Sequence, residues 1–429
     1  MLSRRQLLSG AGAGLLAGLA SHVISRSAGA KTAGTFAKGP RYWLCVVPSG
    51  GMDAIYTTDP RTSTEVAAGV DVPYEPHEIV EAGGLRLGPL FKGLAPWSSR
   101  LSVIKGVAVN TANHQTGLLQ AARIKTSTSN WTPSALEIIG AHRDGQAVGY
   151  MSLNAPYANA YTPYDFGEPF KAAYGPPTTS LFALIDSLSR EELETAGRVM
   201  GDNAASLMRR GPMSVADEEA RSAAAQSSAF LRRAAIVPPF KVEPWVSGPA
   251  GDAEETARMA VSLQRALWTF EHDLVATATV FSDVAWDSHT RNAKIQTQMT
   301  PYLVTVLDRL FTELDRRSNA HGRLSDQTAV LVFSELGRLP YLNQAKGKDH
   351  FPQTSVLTFG KWFRGGATFG AAGKQLEGLG VSTKTGKQDP ATSQPLLLDD
   401  IGATALHLAG IDPEKHGFAG RRLDFLVGA

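Results

Sequence analysis

The chain has a single cysteine, Cys45, which lies inside an apolar run. One thiol cannot close an internal disulfide, so no disulfide framework can hold this fold. Cys45 reads as a small buried hydrophobe rather than a catalytic thiol. Beyond the first thirty residues no stretch is apolar over the roughly 20 residues that a bilayer crossing needs, which predicts a mature protein with no membrane span. Charge of one sign is also missing: 42 Lys and Arg face 40 Asp and Glu, for a formal net charge of +2. Such a balance argues against a nucleic-acid partner and against an extended basic surface for anionic membranes. Internal repeats and low-complexity runs are absent too, which removes solenoids and arrays from consideration.

What is present begins at the N-terminus. Ser3-Arg4-Arg5-Gln6-Leu7-Leu8 has the form of a twin-arginine export motif, and a weakly apolar Gly/Ala/Leu segment follows it to about Ile24. Ala28-Gly29-Ala30 offers small residues for cleavage. The expectation is a signal peptide over residues 1–30, use of the twin-arginine translocase, and a periplasmic or secreted protein. Residues 31–429 then form a single domain, long enough to bury a large core.

Several apolar runs are followed at once by polar, glycine-bearing segments. Tyr42–Val47 predicts a strand buried on both faces, and Pro48-Ser49-Gly50-Gly51-Met52-Asp53 follows it. Leu101–Val107 predicts a second strand, and Asn110 to Gly117 leads from it into a helical pattern ending near Ile124. Ala276–Val284 predicts another strand, ending in Trp286-Asp287-Ser288-His289. Ala329–Phe333 gives way to Ser334-Glu335-Leu336-Gly337-Arg338. A Gly/Lys-rich loop then delivers Asp349-His350 before a strand at Thr354–Phe359. In open α/β sheets ligands gather beyond the carboxyl ends of strands, so these acids and histidines are expected to converge. Asp287 and His289, two apart, face one side of an extended segment and make a pair of metal ligands, or an acid that orients a histidine. Asp53 is a ligand or a solvated turn residue. Asn113, His114 and Thr116 face a substrate oxyanion at a helix start, or Asn113 simply caps that helix. Arg338 and Lys348 offer positive charge to an anion.

Helical periodicity is predicted over Trp131–His142, Glu191–Met208, Val215–Ala234, Glu254–Val275 and Gln296–Arg316. Asp399 and Asp400 are expected to cap a last helix that runs to Leu408 and ends at Gly410. Gly149–Pro177, Val237–Asp252 and Gly365–Lys387 read as irregular. Strands alternating with helices predict an α/β fold, with helices on both faces of a mostly parallel sheet.

The tail from Asp400-Ile401-Gly402 through Ala409-Gly410-Ile411 resembles the closing helix of sulfatases. Gly50-Gly51-Met52-Asp53, Trp286-Asp287-Ser288-His289, Ser334-Glu335-Leu336-Gly337-Arg338 and Asp349-His350 together resemble the domain of unknown function 1501 family, within the alkaline phosphatase and sulfatase superfamily. Its members commonly read G-G-N-D-G, W-D-T-H, S-E-F-G-R and D-H-G at these places. The resemblance spans about residues 40 to 427 and implies a three-layer α/β/α sandwich with divalent metal ions (Zn, Mn, Ca or Mg) at the carboxyl edge of the sheet. It implies Asp53, Asp287, His289, Glu335 and His350 as ligands, with Asp349 a ligand or the orienter of one. Here Asn113 stands before His114 where related chains carry Ser, and no C-x-P-x-R sulfatase motif exists, so Thr116 is left as the nearest hydroxyl nucleophile. The resulting expectation is an exported metal-dependent hydrolase of a phosphate or sulfate ester, with two metal ions clamping the ester and Thr116, Asn113, His114 and Arg338 as catalytic candidates. The alternative is a non-catalytic, sulfatase-like protein that binds an envelope glycan or matrix component.

Overall fold

The computed structural model describes residues 39–126, 133–143, 146–154, 185–208, 215–246, 253–283 and 285–428. The expected signal peptide lies outside these residues, as does most of the irregular stretch expected from Gly149.

Among the described residues the central sheet has eight strands. They are β1 (Tyr42–Val47), β2 (Leu101–Ala108), β3 (Val148–Leu153), β4 (Val275–Phe281), β5 (Thr328–Val332), β6 (Gln353–Phe359), β7 (Ala367–Gly370) and β8 (Leu396–Leu397). Their order across the sheet is β7-β2-β6-β5-β1-β4-β3, with β8 continuing beside β2 past the end of β7. β6 runs antiparallel to both of its neighbours, β2 and β5. Every other pairing in this sheet is parallel. The mostly parallel sheet is thus present, with one interior strand reversed. That reversal matters for the site. The carboxyl ends of β1, β2, β4 and β5 and the beginning of β6 all open on the same edge, because Gln353 stands opposite Ala108.

β1 shows why the chain layers as it does. All six of its residues are buried, and alternate ones serve opposite faces. Tyr42, Leu44 and Val46 enter a core shared with Leu263 and Leu267 of α5 (Ala253–Glu271) and Leu303 and Leu310 of α6 (Asn292–Arg316). Trp43, Cys45 and Val47 enter a second core with Leu118 of α1 (His114–Arg123), Ile139 of α2 (Ala135–Ala141) and Leu406 of α7 (Leu398–Leu408). Leu193 of α3 (Arg190–Met208) and Phe230 of α4 (Val215–Ile236) extend the first layer. The result is a three-layer α/β/α arrangement. Truncating a sheet residue such as Leu331 to Ala removes contacts in a closed core and costs about 2–5 kcal/mol. Cys45 is fully buried, and burial pushes its thiol pKa up, away from nucleophilic use.

Three expectations need correction. Gly149 begins no loop: Val148–Leu153 is a strand that pairs with β4. A Cβ at Gly149 would stand 2.8 Å from the backbone of Gly140, so this glycine lets α2 lie close on β3. The stretch from Gly365 contains β7, which pairs in parallel with β2. The N-cap of α7 is Leu397, and Asp400 acts from inside the first turn by accepting the Leu397 N–H at 3.0 Å. Among the described residues no helix is long and apolar enough to cross a membrane.

Candidate metal centre

The segment after β4 carries the two expected site residues in the expected alternation. Trp286 and Ser288 are fully buried, while the side chains of Asp287 and His289 are 36% and 44% exposed. Ser288 anchors its turn by donating to Asn292 Oδ1 at 2.6 Å. The turn after β1 closes over the same segment. Gly50 has φ +111°, and a Cβ there would lie 2.5 Å from the Asp287 nitrogen. A side chain at position 50 would therefore push the Asp287 segment away, besides straining the backbone.

His114, Asp287, His289 and His350 converge, with one ligand atom from each lying within 4.8 Å of all the others. His114 is the first residue of α1, and Asn113 caps that helix by accepting the Thr116 N–H at 3.0 Å. His350 belongs to a two-stranded ribbon with Gly337–Arg338, just ahead of the reversed strand β6. It therefore reaches the edge from the start of a strand rather than from its carboxyl end.

Each imidazole is held at its Nδ1. His114 Nδ1 lies 2.7 Å from Glu335 Oε1, His289 Nδ1 lies 2.8 Å from Asp349 Oδ1, and His350 Nδ1 lies 2.6 Å from the Ala112 carbonyl. A carbonyl and an ionised carboxylate can only accept, so the Nδ1 atoms carry the protons and the Nε2 lone pairs turn inward. His289 Nε2 and His350 Nε2 then face each other at 2.8 Å. Two lone pairs at that distance repel unless a proton or a cation stands between them. His114 Nε2 is buried and makes no hydrogen bond, with an Asp287 oxygen at 3.5 Å. A buried, inward-facing imidazole nitrogen with no hydrogen-bond partner fits a metal ligand, and carboxylate or carbonyl support of the far nitrogen is the usual outer shell of such ligands.

The carboxylates around His114 draw a proton or a cation to its inward nitrogen. Burial lowers the His114 pKa, but the Asp287 and Glu335 carboxylates outweigh it and push it up to about 9. Burial lowers that of His350, helped by the positive charges around it. Burial would raise the Asp287 carboxyl, but His114 and Arg338 hold it well below the usual carboxylate range. The hydrogen bond from His289 likewise lowers Asp349.

Asp287, His289 and His350 thus meet as expected, together with His114, which the sequence suggested for substrate contact. Glu335 stands one shell out. It is fully buried and accepts from Gly50 N at 2.8 Å as well as facing His114. Asp349 is the orienter of His289. Asp53 is not in the cluster: its Oδ2 accepts from Lys348 Nζ at 2.8 Å and Asn292 Nδ2 at 2.9 Å, and its Oδ1 accepts from Ile55 N at 3.1 Å. Arg338 is buried, donating to the Gly50, Gly51 and Lys348 carbonyls and to Asp287 Oδ1, the last at 2.7 Å. Its fork is consumed in holding Asp287. Thr116 lies two residues along α1 from His114, and residues i and i+2 of a helix face different directions. The Ala112 carbonyl and Asn292 had no signal in the sequence, since backbone acceptors and helix amides carry no motif.

A three-layer α/β protein with a histidine-rich candidate metal cluster at one sheet edge is the class that fold and site define. Residues 249–427 match the model of the family described as "Protein of unknown function (DUF1501)". Asp287, His289 and His350 lie inside the matched residues and His114 outside them. Among solved structures, the lipoteichoic acid synthase LtaP from Listeria monocytogenes is similar at 9% identity and a TM-score of 0.36, over 97% of this chain and 82% of that one. A protein from Pyrococcus horikoshii is similar at 10% identity and a TM-score of 0.19, over 75% of this chain and 88% of that one. No curated protein matches the chain in sequence.

Proposed function

We propose that this chain is an exported, metal-dependent hydrolase of a phosphate or sulfate ester. The observation that carries the proposal is the convergence of three Nε2 atoms and the Asp287 carboxylate on one point at the sheet edge, with Asp287 and His289 open to solvent. A divalent ion held there by His114, Asp287, His289 and His350 would supply Lewis-acid polarisation of an ester oxygen and would lower the pKa of water. Three imidazoles and one carboxylate suit Zn or Mn better than Ca or Mg, which prefer oxygen ligands. Glu335, Asp349 and the Ala112 carbonyl fix the three rings, and Arg338 fixes Asp287. The positive end of α1 begins at His114 itself and favours an anionic substrate beside it. With Thr116 two residues along α1 from His114 and so on a different face of the helix, and Asn113 engaged as a cap, water rather than a side chain is the nucleophile in this mechanism.

Export rests on Arg4-Arg5 and the apolar segment after them, which imply the twin-arginine translocase and a periplasmic or secreted location. A single domain over 31–429 belongs to the same proposal. One observation favours the second reading, a non-catalytic protein binding an envelope glycan or matrix component: four protein ligands can fill a tetrahedral ion, as in structural zinc sites.

The test is metal content by mass spectrometry together with turnover of an aryl phosphate, a phosphodiester and an aryl sulfate. Turnover that is lost with chelator and restored by Zn or Mn supports the hydrolase. Full metal occupancy with no turnover across the panel leaves the binding protein. A protein that takes up no metal under loading conditions overturns the hydrolase and leaves the binding protein.

A further inference from the structure

We infer that the centre is built for one divalent ion, and that the Lys348 ammonium occupies the place a second ion would take on Asp53. The inference rests on the metal-centre reading of the cluster and concerns how many ions it takes. Asp53 follows the first strand, and the family resemblance implies it as a metal ligand. Its oxygens are already engaged, by Lys348 Nζ, Asn292 Nδ2 and the Ile55 N–H. The Lys348–Asp53 pair is sealed from solvent, with side-chain exposures of 0% and 1%, and Lys348 Nζ also lies 3.3 Å from Asp71 Oδ2. One ammonium therefore serves two carboxylates, as a bridging cation does.

Lys348 cannot readily swing away. Its backbone N–H donates to the Ser288 carbonyl at 3.0 Å and its carbonyl accepts from Arg338 at 2.9 Å, so it is clamped between the Asp287 segment and Arg338. An ion approaching Asp53 within ligand distance would meet this fixed positive charge and would have to displace it. Donors already engaged by a cation bind an ion poorly, and among the described residues of this edge the Nε2 atoms and the Asp287 oxygen not held by Arg338 are free of such engagement, whereas Asp53 is not.

The test counts ions. The protein is stripped with chelator, loaded with excess Zn(II) or Mn(II), desalted and measured by mass spectrometry. One equivalent is expected for the unaltered chain and none for His289→Ala. Asp53→Asn should keep one equivalent at unchanged affinity, because Asp53 is not a ligand. Lys348→Met should admit a second equivalent, since Asp53 and Asp71 lose their shared cation. If that variant does not fold, Asp53→Asn decides the matter alone. Two equivalents in the unaltered chain, a loss of metal on Asp53→Asn, or a folded Lys348→Met that still takes one would each overturn the inference and leave the centre standing. No equivalent in the unaltered chain would instead overturn the centre itself.

Discussion

Replacing Glu335 with Gln isolates what an outer carboxylate does for the cluster. Glu335 Oε1 faces His114 Nδ1 at 2.7 Å and accepts from Gly50 N at 2.8 Å, and the side chain is fully buried. A glutamine can place its carbonyl oxygen on those two donors, which leaves its amide facing Ser334 Oγ, an oxygen that already accepts from Gly51 N and Met52 N at 3.1 Å. Shape and the bonds to His114 and Gly50 survive while the charge is lost. A hydrogen bond to a charged group contributes about 1.5–3 kcal/mol and a neutral one about 0.5–1.5, so the local loss is about 1 kcal/mol. Metal affinity should fall about 10- to 100-fold, or about 1.4–2.8 kcal/mol, because the ligand becomes less basic and less firmly oriented. With metal well above both dissociation constants, the metal-dependent part of the stability falls by the same amount. Titration calorimetry with Zn(II) and melting with and without chelator measure the two effects. Unchanged affinity in a folded Glu335→Gln, or an equal loss in the Asp53→Asn control, would refute the chain of support from Glu335 through His114.

Three further outcomes are expected. In metal-free protein the His114 pKa is raised from 6.5 to about 9, so its stabilisation is complete below about pH 6.5 and is lost as pH rises through about 9. The shift corresponds to about 3 kcal/mol, which urea midpoints at pH 6 and pH 9.5 should show and which Glu335→Gln should reduce. Asn113→Ala removes the α1 cap and should cost about 1 kcal/mol with metal affinity unchanged; a large loss of turnover at unchanged stability would return Asn113 to the substrate. Changing Arg4 and Arg5 together to Lys should leave uncleaved precursor in the cytoplasm, and unaltered export from a strain lacking the twin-arginine translocase would rule that route out.

The parts of the fold that were legible in the sequence are those where local pattern and burial agree. Tyr42–Val47 and Ala329–Phe333 are continuous apolar runs because both faces of those strands are covered. Asp287 and His289 were legible as a pair because Trp286 and Ser288 alternate with them into the interior. The stretches from Gly149 and Gly365 misled because glycine signals a turn, whereas Gly149 permits a close backbone approach within a strand and β7 starts two residues after Gly365. The division of labour among the acids was not legible at all. Asp53 and Glu335 both follow buried strands, and their roles are decided by Lys348, 295 residues from Asp53, and His114, 221 residues from Glu335. Nothing in either local sequence encodes which distant partner arrives.

Those separations also bear on how the protein resists unfolding. Glu335 reaches back 221 residues to His114, and His350 reaches back 238 to Ala112, so the ligands are assembled only after several long chain closures. Loop-closure entropy is lost before such contacts are made, and an open chain presents no preformed grip for an ion. Metal held here therefore joins late, when the sheet edge has closed. Interactions absent from the folding transition state slow unfolding and leave the folding rate nearly unchanged. The ion would lengthen the lifetime of the folded chain without hastening its formation.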